Sequence, residues 1–124
     1  MKRCLLIFLL GLLSLSALLG QSATISAPSP LNEADLDFQS LNIILTDETF
    51  ADGSLNSGNF RLINEPEGLT VHAIVLLSPT QAVIDLAFDG TDFDTDIANF
   101  SLTIDDSELT QTSSGVLSTN NLTI

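Results

Sequence analysis

The sequence predicts an all-β domain, an antiparallel sandwich of about seven short strands. Two observations predict it. Apolar and polar residues alternate in short runs, each closed by Gly, Pro, Asn, Asp or Ser, which is the period of two that puts successive side chains on opposite faces of a sheet. No segment after residue 22 holds a helical apolar stripe of ten residues, and residues 31–38 offer at most one short helical turn.

A first, weak strand is expected at residues 24–27, ended by Pro28 and Pro30. In the second, Leu41, Ile43 and Leu45 point one way, with Asn42 and Thr46 opposite. The turn-rich residues 46–58 lead into a third strand at 59–64, where Phe60 and Leu62 share a face, and the turn at 65–68 closes it. In the fourth, residues 69–77, Val71, Ala73 and Val75 alternate with His72, Ile74 and Leu76. Both its faces are partly apolar, which predicts a place in the middle of a sheet.

Ser78, Pro79 and Thr80 turn the chain into a fifth strand, residues 81–88, with Ile84, Leu86 and Phe88 on one face and Val83, Asp85 and Ala87 on the other. A sixth at 99–104 turns Phe100, Leu102 and Ile104 inward and Ser101 and Thr103 outward, and a seventh is expected at 120–124. Seven strands in roughly a hundred residues fit an immunoglobulin-like or fibronectin-III-like sandwich better than a closed barrel. The disulfide and buried tryptophan of antibody domains are missing, since no cysteine follows Cys4 and the chain has no tryptophan.

Residues 1–22 stand apart. Lys2 and Arg3 precede an apolar stretch from Leu5 to Leu19, the layout of a secretory signal and too short to cross a hydrocarbon core that needs about 20 helical residues. Small side chains at Gly20 and Ser22 place cleavage before Ala23, with a cut after Ala23 as the alternative. Cys4 lies ahead of the apolar stretch and not at the cut, so no lipid anchor is expected. The predicted organisation is a signal peptide, 1–22, and one domain, 23–124, secreted or held at the cell surface.

Beyond residue 22, Arg61 is the only strong base against sixteen acids. That excludes nucleic acid as a partner, disfavours anionic membranes and favours solubility or bound cations. No membrane insertion of the mature domain is expected.

From Ser29-Pro30-Leu31 onward four landmarks follow in order: PLNEADL at 30–36, NFRLINEPEGLTV at 59–71, AFDGTDFDTD at 87–96 and NNLTI at 120–124. With these the chain resembles the immunoglobulin-like repeat modules, about a hundred residues each, of large secreted and surface bacterial proteins. The resemblance implies an immunoglobulin-like sandwich outside the cytoplasm and carries over no catalytic residue. The chain departs from such proteins in holding one copy.

The densest constellation is the run from Asp89 to Asp96, with carboxylates at Asp89, Asp92, Asp94 and Asp96. Calcium takes six to eight oxygens from such groups. Asp92, Asp94 and Asp96 have the first spacings of a helix-loop-helix calcium loop, but Ile97 stands where glycine is required and Thr103 where glutamate is. A looser site would combine the four aspartates with backbone carbonyls and Asp105, Asp106 or Glu108. The favoured reading is an acidic surface turn whose carboxylates bind nearby N–H groups, with Phe93 as its anchor.

The other candidates are weaker. Asp85 is read as a residue of an exposed strand face. The carboxylate pairs Asp105/Asp106, Glu65/Glu67 and Glu33/Asp35 evoke glycoside hydrolysis, but they lie in turns without Trp or Tyr to hold a sugar. His72 is the only histidine, so no two-histidine metal site exists, no triad motif surrounds it, and it is read as a solvent-facing strand residue. Zinc and haem lack ligands. Asn99-Phe100-Ser101 and Asn121-Leu122-Thr123 match the glycosylation pattern inside predicted strands and are read as coincidence. The chain is therefore expected to be a non-enzymatic structural or adhesive module, without a cofactor, binding an extracellular protein or carbohydrate. The alternative is a calcium-dependent binding domain built on the 89–96 loop.

Overall fold

The computed structural model describes residues 20–124. The expected signal segment up to Leu19 lies outside the described residues. What is described is mostly strand, with three one-turn 3-10 helices at Glu33–Asp35, Ser57–Asn59 and Asp106–Glu108.

Seven strands form two antiparallel sheets in a sandwich-like arrangement. They are β1 (Ser22–Ser26), β2 (Ser40–Thr46), β3 (Phe60–Ile63), β4 (Leu69–Ser78), β5 (Gln81–Phe88), β6 (Ser101–Asp105) and β7 (Val116–Ser118). One sheet runs β1-β2-β5-β4 and the other β3-β6-β7. The alternation read from the sequence decides what lies between them. Leu41, Ile43, Ile84 and Leu86 from the first sheet meet Phe100, Leu102 and Ile104 from the second, all fully buried, with Leu36 from the opening segment. Each such side chain contributes about 1.5–3 kcal/mol by leaving water.

The first strand starts two residues earlier than expected, because Ser22 and Ala23 pair with Thr46 and Leu45. The chain bends into β2 through Phe38, whose φ of 65° lets its N–H donate to Leu86 O while Gln39 O accepts from Leu86 N.

The expectation that the fourth strand sits mid-sheet is corrected: β4 is an edge, paired only with β5. Its two apolar faces have another cause. The β4–β5 register slips between Val71 and Ala73 and again between Leu76 and Ser78, and a bulge residue shifts the alternation by one. Leu69 and Val71 therefore face inward before His72, and Ile74 and Leu76 after it, opposite Ile84 and Ala82. Val75 and Leu77 are left exposed.

The last strand is also corrected. β7 lies at Val116–Ser118, paired with β6, and the predicted stretch 120–124 is a broken continuation of it. Leu122 forms an isolated bridge with Phe100, and Ile124 exchanges two backbone bonds with Ile97. At the break the Asn120 side chain imitates a peptide group: Oδ1 accepts from Ile25 N at 2.7 Å and Nδ2 donates to Ile25 O at 3.1 Å. One amide thus ties β1 of the first sheet to the end of the second. Ser101, expected to face outward, is buried.

Candidate functional site

The acidic loop leaves β5 at Phe88 and is held by aromatic contact, since the rings of Phe88 and Phe93 meet edge-on with centroids 6.2 Å apart. Phe93 is half-buried, and Asp92, Asp94 and Asp96 around it are exposed.

Asp89 is engaged locally. Its Oδ1 accepts from Thr91 N at 2.9 Å and from Thr91 Oγ1 at 2.6 Å, and these bonds hold its carboxyl below the usual range. Its backbone N–H donates to Gly68 O. Its carboxylate lies so close over Gly68 that a Cβ there would overlap it, which, with a φ of 87°, is why residue 68 is glycine. Asp89 thereby joins the turn after β3 to the end of β5.

An acid that the sequence reading had not linked to this loop comes to it. Glu33, in the 3-10 turn before β2, accepts from Phe93 N at 3.3 Å. Burial of its carboxyl, a hydrogen bond to the Asp92 side chain and the charges of Asp92 and Asp94 raise its pKa. Glu33, Asp94 and Asp96 border a hollow of about 330 Å³ together with Leu31 and Phe93. Among the described residues no three His, Cys, Asp or Glu side chains gather as a metal-holding group.

The supplementary ligands are elsewhere. Asp105 ends β6 and Asp106 and Glu108 follow it, whereas the acidic loop precedes it, and five strand residues carry the chain about 16 Å. Asp105 Oδ2 accepts from Ser107 N and Oγ. These bonds, with a contribution from Arg61, lower its pKa. Glu108 is buried and its Oε1 accepts from Asn56 N at 3.0 Å and Asn59 Nδ2 at 2.8 Å. Asp85, read as a residue of an exposed face, is half-buried and accepts from Ser40 Oγ at 2.7 Å. His72 is exposed at the β4 irregularity.

The most heavily bonded carboxylate is Glu48, 3% exposed. Its Oε1 accepts from the N–H groups of Thr49, Thr110 and Gln111 and from the Thr110 hydroxyl. Its Oε2 accepts from Thr112 N at 2.7 Å and Thr112 Oγ1 at 2.9 Å. Burial raises its pKa, but these donors outweigh burial and bring it down to about 2. Beside it Phe50 bridges Leu109 and packs against Phe60. Glu48 and Glu108 together sew the long β2–β3 connection onto the segment after β6. The chemistry here is a charge fixed by convergent donors. Nothing in the sequence around Glu48 marked it, because five of its six donors lie more than sixty residues further on.

No protein-family model matches the chain, and no curated protein and no solved structure matches it.

Proposed function

We propose that this chain is a non-enzymatic structural or adhesive module of immunoglobulin-like type, exported from the cell by its first twenty-two residues. The observation that carries the reading is the strand order. First, second, fifth and fourth strands in one sheet, with third, sixth and seventh in the other, is the order of a constant-type immunoglobulin sandwich. Such a scaffold presents loops and sheet edges to a partner, here an extracellular protein or carbohydrate. The export reading is supported by the start of β1: cleavage before Ala23 leaves its buried side chain in place and removes only the exposed Ser22 from the strand.

Expression of the full chain in a bacterial host with fractionation and N-terminal sequencing tests export. Released protein beginning at Ala23 supports it, and chain retained inside with Met1 intact contradicts it. Assay against generic glycoside and ester substrates tests the non-enzymatic reading, which reproducible turnover would overturn.

The second reading, a calcium-dependent binding domain on Asp89, Asp92, Asp94 and Asp96, is supported by the like charge that these exposed carboxylates carry beside Glu33, which a bound cation would relieve. A ligand that binds only the folded state raises the melting temperature. A rise with calcium, reversed by chelator and abolished by Asp92→Asn with Asp94→Asn, supports it; no shift counts against it.

A further inference from the structure

We infer that Phe38 is the anchor by which this domain holds a partner protein, its ring seated in an apolar pocket that the partner rims with Lys or Arg. The inference deepens the adhesive reading and rests on it. Among the described residues Phe38 is the most exposed of the large apolar side chains, at 76%, while every other aromatic is buried or half-buried. It is also held in the left-handed region, at a φ of 65°.

The backbone accounts for the bend at this residue but not for the ring. Gln39 N donates to Leu36 O at 3.3 Å, which makes Phe38 the third residue of a four-residue turn. Of the two central residues only Phe38 has a positive φ, and that place in a turn belongs to Gly or Asn. The other non-glycine residues at positive φ are Asp47 and Asn64, whose short polar side chains tolerate it; a bulky aromatic does not. Phe38 thus carries two costs, strain and an apolar ring in water, where Asn would carry neither. None of the backbone bonds of the bend depends on the ring. A strained residue that the fold itself does not require points to function, and exposed aromatics are the usual anchors of an interface.

Charge selects the partner. Asp35 and Asp37 precede the ring and are exposed. Asp37 Oδ1 accepts from Phe88 N at 2.9 Å, which brings the exposed Asp89 to the same end of the sheet, and Ser40 holds Asp85 beside it. Arg61, the only strong base beyond residue 22, lies in β3 of the other sheet. A pocket rimmed with cations is drawn to this end, whereas an anionic membrane or a second copy of the same face is repelled. A neutral sugar stacked on the ring would leave that charge unanswered.

The test is a nuclear magnetic resonance titration of isotope-labelled residues 20–124, which hold every described strand, with a short peptide of alternating Lys and Leu. The controls are a peptide with Glu in place of Lys, one with Ser in place of Leu, and cellohexaose. The expected result is saturable shifts of the Asp37, Phe38 and Phe88 amides with the Lys/Leu peptide alone, weakened by salt and weakened at least about tenfold by Phe38→Asn. The same variant should melt roughly 4 °C higher than wild type, as a residue kept at the expense of stability must. Equal binding to F38N would mean attraction to the acidic loops alone; it would overturn the inference and leave the adhesive reading to another surface. No binding of the Lys/Leu peptide, equal binding of the Glu or Ser peptide, shifts at these amides with cellohexaose, or a lower melting temperature in F38N, which would make the ring a structural support, would each overturn it as well. Failure of the adhesive reading itself shows separately, as turnover or as retention inside the cell.

Discussion

Replacing Glu48 with glutamine leaves its volume nearly unchanged and removes its charge. Four backbone N–H groups and two hydroxyls converge on the carboxylate, and an amide can satisfy only those at its oxygen. Its NH₂ group would oppose the Thr112 N–H, leaving buried donors unpaired at about 1–3 kcal/mol. A second route gives a similar size. The carboxyl titrates at about 2 instead of its ordinary value of 4.5, and at 1.36 kcal/mol per pH unit that depression is worth roughly 3 kcal/mol.

The sign follows from a folded-state value below the unfolded one. The contribution is complete above the unfolded value of 4.5 and is lost as pH falls from there toward about 2. Wild type should therefore exceed Glu48→Gln by roughly 3 kcal/mol at pH 7, and the two should converge near pH 2. The assay is urea unfolding of residues 20–124 followed by far-ultraviolet circular dichroism, since the chain has no Trp or Tyr. Titrations of Asp89, Asp105 and Glu33 are common to both proteins and cancel in the difference. A gap below about 1 kcal/mol at pH 7, or one that does not change with pH, would refute the argument.

Three further outcomes follow from the same geometry. Gly90→Ala meets open space at a φ of 85° and should cost about 1 kcal/mol, whereas Gly68→Ala at 87° must also displace Asp89 and should cost at least about twice as much, read by the same unfolding assay. Asn120→Ala strips two bonds from Ile25 and should lower stability by about 1–2 kcal/mol, with faster hydrogen exchange at the Ile25 amide. Glu33 has a raised pKa, so its ionisation opposes folding above its folded value and not below the ordinary one. Glu33→Gln should accordingly raise the melting temperature at pH 7 and leave it unchanged at about pH 3; a fall at pH 7 would count against the pair.

Where the period of two ran unbroken, the fold was legible. Leu41/Ile43/Leu45, Ile84/Leu86 and Phe100/Leu102/Ile104 are buried as their alternation required. The alternation failed as a guide in β4, because the irregularity at His72 changes its phase and makes an edge strand look apolar on both sides. It failed again at the end of the chain, where the three residues of β7 are too few to show a period and Asn120–Ile124 looked more like a strand than Val116–Ser118. Sheet order was out of reach, since the β2–β5 pairing joins segments forty residues apart without a local mark. The Asp89-Gly90-Thr91 turn was readable from local chemistry. The approach of Glu33 to Asp92, and of Glu48 to Thr110–Thr112, depends on tertiary folding alone.

The strand order carries the functional proposal, and cross-strand proton contacts in nuclear magnetic resonance spectra of residues 20–124 test it most directly. The account predicts backbone contacts between Leu41 and Ile84 and between Leu62 and Leu102, and none between β2 and β3. Contacts that pair β2 with β3, the order of a simple meander, would contradict it.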